Sequence, residues 1–172
     1  PLVDSDYKQN SDKETFQRNL LFQNELQNIL VLLVKEKSVE IIAEEILIRC
    51  KNVTNSDFGM IIFHKGEDIN KFLYRDDNNI ILNKDEVEKS IKYNSSFINK
   101  WLDLNKRPLL ALNHHNNIGY GLTQVISCES LCISPCYFDN VLQAKIIVGK
   151  KTGTYSSLDI SDIEQFSILL SF

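Results

Sequence analysis

The sequence lacks several features that would assign it to a class at once. It has no uninterrupted apolar run of about eighteen residues, the length expected of a transmembrane helix. It has no dense cluster of lysine and arginine, and its net charge is −4, so its charge does not favour nucleic acid. It also has no basic-then-apolar segment of the kind that directs secretion. We therefore expect a cytoplasmic chain with no membrane span and no nucleic-acid partner.

Two kinds of chemistry are missing as well. The spacing of the residues shows no set of nucleophile, base and acid, so we expect no catalysis by this chain. A disulfide framework is not expected of Cys50, Cys128, Cys132 and Cys136, because there is no secretion signal and the chain is long enough for a core. On a strand the last three would share one face but lie about 13 Å apart. Neighbouring sulfurs could not then share a zinc ion, so we predict reduced thiols and no metal site.

The clearest pattern lies near the C-terminus. Residues 128–149 comprise two apolar, β-branched runs that flank Asp139 and Asn140, a polar pair that tolerates left-handed backbone. This predicts a β-hairpin. Further on, Ser156 and Asp159 are spaced as a capping box, which predicts the start of a helix. The apolar face of that helix is predicted from residues at helical spacing: Ile160, Ile163, Phe166, Leu169 and Leu170.

The N-terminal region predicts a long helix. Ser11 and Glu14 form another capping-box pair, and the helix should continue to about Lys35. Its apolar residues repeat at heptad spacing and would form a dimer seam; the alternative is that this helix packs on its own domain. The seam consists of Phe22, Leu26, Ile29 and Leu33, thickened by Leu30.

The middle of the chain predicts alternating helices and strands. A helix with one apolar stripe should run from Ser38 to Cys50. Residues 58–64 are apolar without alternation, which predicts a strand covered on both faces. Residues 113–123 hold two glycines and three asparagines without apolar periodicity, which predicts a loop of functional importance. The remaining predictions are strands at 71–75, 80–82 and 108–112 and helices at 85–93 and 96–104.

The order and spacing of these motifs resemble a GAF domain. The C-terminal half is similar in Ser130-Leu-Cys-Ile-Ser-Pro135, the hairpin, and Tyr155-Ser-Ser-Leu-Asp159. Upstream, Asp57-Phe-Gly-Met-Ile-Ile-Phe63 resembles the entry to the family's first strand, and Lys106-Arg-Pro-Leu-Leu110 resembles the end of its mid-domain helix and the following strand. The resemblance covers about residues 35–172. It divides the chain into an N-terminal linker or signalling helix, 1–34, and a GAF sensor domain, 35–172.

The resemblance implies an α+β fold. We expect an antiparallel sheet of five to six strands with helices on both faces, preceded by the long N-terminal helix. The resemblance also implies a non-catalytic sensory and regulatory role. The chain would be a piece of a larger cytoplasmic signalling protein, in particular a histidine kinase of a two-component system. It would bind a small ligand and pass the signal through N- and C-terminal helices in a homodimer.

The resemblance implies a ligand pocket, which we assign to aromatic, histidine and cysteine side chains. These are Phe63, Phe72, Trp101, His114, His115, Tyr120, Cys128 and Cys132. The cofactor is unknown, but haem would need an axial ligand in an apolar pocket. The candidate haem ligands are His64, His114, His115, Cys128 and Cys132. The Cys-His pair of bilin-binding relatives is absent.

Other readings remain open. The cyclic-nucleotide pattern of the family is only partly retained, in Lys150 and Asp159, which predicts a structural ion pair within about 4 Å. A haem-binding redox or gas sensor is a narrower alternative. A purely structural dimerisation module, whose pocket is filled by its own side chains, is another. A methionine sulfoxide reductase would need Cys128 and Cys132 close together, which requires a distorted strand.

Overall fold

The computed structural model describes residues 2–35, 38–113 and 120–171. It divides into two compact units, Pro1–Ile42 and Ala43–Phe172. In the described part, no helix is long and apolar enough to cross a membrane.

The first unit is dominated by helix α1, Leu2–Val34, which confirms the long N-terminal helix. It begins before the predicted cap at Ser11, whose carbonyl instead accepts a hydrogen bond from the Thr15 hydroxyl at 2.9 Å. Two residues of the predicted dimer seam, Phe22 and Ile29, are only 5% and 0% exposed in the single chain. Leu30 of that seam is 51% exposed, and the dimer seam stays a prediction.

The second unit is built on a five-stranded antiparallel sheet in the order β2-β1-β5-β4-β3. The central strand β5 and its neighbour β1 are apolar on both faces, as a strand covered on both sides requires. The sheet confirms the α+β expectation. The strands are β1 Phe58–Lys65, β2 Asp68–Arg75, β3 Leu109–Leu112, β4 Ser130–Phe138 and β5 Val141–Lys150.

The β4–β5 hairpin confirms the predicted turn. Asp139 and Asn140 have φ of 48° and 61°, the left-handed backbone that a two-residue hairpin turn of this hand needs. The β1–β2 turn is equally tight and places Gly66 at φ 66°. Because Phe63 pairs with Ala144 across β1 and β5, the two hairpin turns lie at the same end of the sheet.

Four helices accompany the sheet: α2 Val39–Thr54, α3 Lys84–Asn105, α4 Tyr120–Ile126 and α5 Ser157–Ile168. Side chains alternate between the faces along each strand. Met60 and Ile62 belong to the apolar cluster that includes α3 and α4; we call this side the α3 face. The opposite side is the α5 face. There Gly59 lies so close to Leu47 of α2 that a Cβ would come within 2.8 Å of its Cδ1.

The α5 face has hydrogen-bonded polar groups in addition to its apolar packing. The Ser134 and Ser167 hydroxyls are 2.8 Å apart across β4 and α5. At the start of α5, the Ser156 hydroxyl accepts from the Asp159 N–H at 3.1 Å. The Asp159 carboxylate accepts from the Ser156 N–H at 2.7 Å. This confirms the predicted capping box and fixes where α5 begins.

Three local predictions were wrong. Residues 85–93 and 96–104 form one helix, α3, because Asn94 does not interrupt it: its amide donates to the Ser90 carbonyl at 2.8 Å. Residues 80–82 are not a strand, since the Asp76 carboxylate accepts from the Ile80 and Ile81 N–H groups, both at 2.8 Å. The predicted loop 113–123 extends into α4, which begins at Tyr120.

Candidate functional site

Apolar side chains occupy the region between the α3 face of the sheet and helices α3 and α4. Of the predicted pocket residues, Phe72 and Trp101 are partly buried against this cluster, and Cys128 is a buried member of it. The cluster also contains residues of β1, β3, β4, β5, α3 and α4, among them Met60, Ile91, Leu102, Ala111, Leu122, Leu131, Ile133 and Ile147.

Of the other predicted pocket residues, only Phe63 and Cys132 have described side chains, and both lie on the opposite face of the sheet. Phe63 alternates with Ile62 and so lies on the α5 face. Cys132 also faces that side, because the neighbouring Leu131 and Ile133 belong to the apolar cluster. His114 and His115 lie outside the described residues. Tyr120 is the first residue of α4, and its side chain is likewise outside the description.

The cysteines lie on two sides of the sheet. Cys128 precedes β4, so the prediction that Cys128, Cys132 and Cys136 share one face of a strand was wrong. Burial raises the pKa of Cys128 to about 12. Burial, with the nearby charges of Asp159 and Glu164, raises the pKa of Cys132 to about 12. Both thiols are protonated at neutral pH and separated by the sheet, which removes the geometric basis for a paired-thiol reductase.

A cleft of ≈ 820 Å³ opens at the end of the sheet where the two hairpin turns lie. We call it the turn cleft. Its walls come from the β1–β2 turn, the start of β5 and one side of α3. Its lining residues are Gly66, Glu67, Asp68, Lys92, Ser95, Ser96, Asn99, Lys100, Asp103, Leu104, Asn140, Val141 and Leu142. Most of the lining residues are polar or charged, unlike the apolar pocket predicted for haem.

A buried lysine lies directly behind this wall. Lys145, in the middle of β5, is 1% exposed, and its Nζ donates to the Asn99 Oδ1 at 2.7 Å. In the described part of the chain no carboxylate lies within 4.0 Å of this ammonium group. Burial lowers the pKa of Lys145 to about 8, although the charge of Asp103 acts in the opposite direction. The ammonium group is thus charged at neutral pH, and its hydrogen-bond acceptor among the described residues is a neutral amide.

His64 lies near this lysine on the same face of the sheet. It is two residues beyond Ile62, the β1 partner of Lys145, and the β1–β2 irregularity falls on the β2 side, so β1 keeps its alternation. His64 is 7% exposed, and neither ring nitrogen has a hydrogen-bond partner among the described residues. Burial, and then the charge of Lys145, lowers the pKa of His64 to about 4. The ring is therefore neutral at pH 7.

The outer rim of the turn cleft is held by α3 and β4. The Tyr137 hydroxyl donates to the Asp103 carboxylate at 2.7 Å, and the Lys106 ammonium lies 4.3 Å above the Tyr137 ring. Asp103 thus already has a partner. With Glu67 and Asp68 in the opposite turn, it supplies three carboxylates to a lining that also holds Lys92 and Lys100.

Strand β5 connects the turn cleft to helix α5. Val141 and Leu142 line the cleft at one end of the strand. At the other end, Lys150 Nζ lies 3.9 Å from the Asp159 Oδ2 in the first turn of α5. The side chains of both residues are largely buried, at 16% and 8% exposed. The distance between the two charged groups, 3.9 Å, lies within the limit of about 4 Å predicted for a Lys150–Asp159 ion pair.

Sequence reasoning missed the grouping of Lys145, His64 and Asn99. The signal was present for Lys145, because a strand as apolar as 141–149 must be buried on both faces and a lysine within it must be buried too. No sequence pattern identified Asn99. Its position relative to β5 depends on α3 being one continuous helix, whereas the sequence predicted two.

No protein-family model and no curated protein matches the sequence. Solved structures do. A phycoerythrobilin-bound GAF domain from a cyanobacterial phytochrome is similar with a TM-score of 0.63 and 12% identity, over 89% of this chain and 94% of that one. The GAF domain of a candidate sensor histidine kinase from Pseudomonas syringae pv. tomato has a TM-score of 0.57 and 11% identity, over 96% and 88%.

A third similar structure is an N-acylhomoserine lactone-dependent transcription factor of the LuxR family from Burkholderia cenocepacia. Its TM-score is 0.62 and its identity 11%, over 88% of this chain and 92% of that one. At these identities the likeness establishes the fold alone, so this chain has the GAF fold.

Proposed function

We propose that this GAF-fold chain is a non-catalytic sensory and regulatory domain of a cytoplasmic signalling protein such as a histidine kinase. A small ligand occupies the turn cleft and biases the packing of the terminal helices. The observation that carries the proposal is the path of β5, which begins in the cleft wall and ends at the Lys150–Asp159 contact with α5. Fold alone does not establish function, so the proposal depends on this connection.

The coupling works through unequal affinity. A ligand shifts the equilibrium between two packings of α5 only if it binds one of them more tightly. Movement at Val141 and Leu142 is transmitted along β5 because that strand is hydrogen-bonded to a neighbour on each side. A shift of Lys150 at the end of β5 then alters its contact with the Asp159 carboxylate. That carboxylate also accepts the capping-box hydrogen bond at the start of α5.

The exposed apolar residues of α1 support a homodimer. Together with two polar residues between them, they fall at alternating steps of four and three residues, as in a two-stranded coiled coil, and of the predicted seam they retain Leu30. Phe16, Leu20, Leu30 and Val34 are each more than half exposed. With the polar residues between them, the proposed seam is Phe16, Leu20, Gln23, Gln27, Leu30 and Val34. On α5, Ile168 is also 59% exposed.

A ligand screen tests the proposal. A panel of small metabolites is added to the 172-residue chain and thermal unfolding is recorded. A ligand at about 100 times its Kd should stabilise the fold by ~2.7 kcal/mol, equivalent to roughly 5–10 °C for a domain of this size. Hydrogen exchange with and without that ligand should then differ in α5 and α1 as well as in β5.

Two outcomes would contradict the proposal. Stabilisation without any change of exchange in α1 or α5 would mean a binding domain that does not signal. No stabilisation by any ligand, together with dimerisation in light scattering, would favour the purely structural module. An absorption spectrum of the fresh protein comes first, because a strong visible haem band would instead make the domain a haem sensor.

A further inference from the structure

Three features meet behind the turn cleft. The Lys145 ammonium group is buried and has one amide as its partner. The His64 ring is buried nearby with both nitrogens unpartnered in the described structure. The amide that holds Lys145 belongs to Asn99, which itself lines the cleft. The positive charge therefore lies one side chain behind an open cavity.

A fold gains nothing from such an arrangement. A buried charge is costly unless it is paired and hydrogen-bonded. Within the part of the chain that the structure describes, Lys145 uses one of its three donors, on a neutral acceptor. A buried imidazole without a partner adds a second cost. A leucine or methionine at either position would remove that cost. Both groups would be satisfied at once by an anionic oxygen placed between them.

We infer that the turn cleft binds the carboxylate or phosphate group of a small molecule, held by Lys145 Nζ and the His64 ring after the Asn99 amide rotates aside. This names the ligand class for the cleft of the proposed function and rests on that proposal for its regulatory meaning. Charge-assisted hydrogen bonds of an ammonium group to an anionic oxygen are among the strong ones in proteins. The neutral His64 ring donates one N–H to the same group.

The rim sets the size and charge of this ligand. The lining has three carboxylates, those of Glu67, Asp68 and Asp103, and two ammonium groups, those of Lys92 and Lys100, a balance that does not favour extended polyanions such as nucleic acid. A compact anion reaches Lys145 past them, and amino or hydroxyl groups elsewhere on the ligand would face these carboxylates. The site therefore suits a small organic acid or a small phosphate.

An anion titration tests the inference. The isotope-labelled 172-residue chain is titrated at pH 7 with sodium acetate and, separately, with inorganic phosphate, and with sodium chloride at matched ionic strength. NMR follows the His64 ring signals and the amide signals of β1 and β5. Acetate or phosphate should give saturable shifts at His64 and Lys145 that chloride does not reproduce. The anion that binds more tightly identifies the ligand class as carboxylate or phosphate.

Matched variants decide whether Lys145 is responsible. Lys145→Met should weaken binding by about ten-fold or more, since hydrogen bonds to charged groups contribute on that scale. Lys151→Met makes the same charge change on an exposed residue that is outside the cleft lining, and should change Kd by less than about two-fold. His64→Phe gives a second, independent variant and should also weaken binding. The thermal unfolding of each variant confirms that it is folded.

The inference is overturned if chloride produces the same shifts, or if Lys145→Met and His64→Phe bind the anion as tightly as the unaltered chain. The regulatory proposal has a separate test. Hydrogen exchange of α1 and α5 in saturating anion reports on it, and unchanged exchange there would leave an anion site without a signalling role. Conversely, a metabolite that is not an anion but alters those helices would support the sensory function, while a failed anion titration would still overturn the anion site.

Discussion

Lys51 and Lys145 are both buried lysines of the second unit, but they are compensated differently. Lys51 of α2 is 6% exposed and its Nζ lies 2.8 Å from the Asp77 carboxylate. Lys145 of β5 is 1% exposed, and within the described ranges its Nζ donates to the neutral Asn99 amide. In the first arrangement the buried charge of the lysine is compensated by a carboxylate. The second leaves a charge that the fold itself does not neutralise, next to a cavity.

The same difference separates the two faces of the sheet. On the α5 face, Thr54, Ser56 and Tyr155 form a continuous hydroxyl chain with separations of 2.7 and 2.9 Å, and Ser134 pairs with Ser167. On the α3 face the interior is mainly apolar, and His64 and Lys145 are buried at its cleft end. Unsatisfied buried groups in a native fold call for an explanation, and here they identify the region to test first.

The largest expected effect concerns packing on the α5 face. Phe166 of α5 is fully buried, and Phe166→Ala should reduce the free energy of unfolding by about 3–5 kcal/mol through the cavity it leaves. Urea denaturation measures this. Ile168→Ala, at a position 59% exposed in the same helix, should change stability by less than ~1 kcal/mol. Equal losses would mean that α5 does not pack as described.

The next effect is a dependence of the free energy of unfolding on pH, caused by His64 at the cleft end of the sheet. Burial and Lys145 lower the folded-state pKa of His64 from 6.5 to about 4, so the unfolded chain binds a proton first as pH falls. The contribution of His64 is fully present above about pH 6.5 and is lost as pH falls towards 4, by as much as ~3 kcal/mol. Urea denaturation at pH 7 and pH 4.5 should show this loss.

His64→Phe is the control for that measurement. It removes the titrating ring while keeping a buried aromatic side chain, so the part of the acid sensitivity due to His64 should disappear. An unaltered stability difference between the two pH values would show that carboxylates elsewhere account for it.

The two lysines themselves should respond to substitution with opposite sign. Lys145→Met removes a buried charge that no carboxylate in the described part of the chain compensates, and should stabilise the fold at pH 7 by about 1–3 kcal/mol. Lys51→Met removes one partner of an ion pair whose other partner, Asp77, is 71% exposed, and should destabilise by less than ~1 kcal/mol. Thermal unfolding of both variants under one buffer tests the contrast. A loss of stability in Lys145→Met would contradict it.

The smallest effect concerns the cap at the end of the β5 path. Ser156→Ala removes the hydroxyl that accepts from the Asp159 N–H, and should cost about 1 kcal/mol. Ser38→Ala at the start of α2 is the comparison. The Ser38 hydroxyl there accepts from the Ile41 N–H at 3.4 Å, a long contact, so a smaller loss is expected. Thermal unfolding distinguishes the two.

The elements that the sequence predicted well are those determined by local chemistry. Asp139 and Asn140 adopt the left-handed turn because few other residue types do so at low cost. Ser156 and Asp159 close a capping box because the spacing alone brings their groups together. The break predicted in α3 near Asn94 does not occur. The Asn94 side chain donates to a backbone carbonyl of the same helix, so a polar residue there does not end it.

The candidate site was hidden because it depends on contacts far apart in sequence. Lys145 and Asn99 are 46 residues apart, and their meeting depends on α3 being unbroken across the sheet. The predicted pocket also mixed the two faces: Phe63 and Phe72 both looked suitable as aromatic residues. Strand register, which only the folded sheet supplies, separates them.

All four cysteines are buried free thiols, and burial raises the pKa of each of them. Maleimides and spin-label reagents attack the exposed thiolate, so the native cysteines should react slowly. One cysteine introduced on the surface of α1 or α5 can then be labelled selectively without first replacing the others. The chain is in this respect ready for distance measurements between helices.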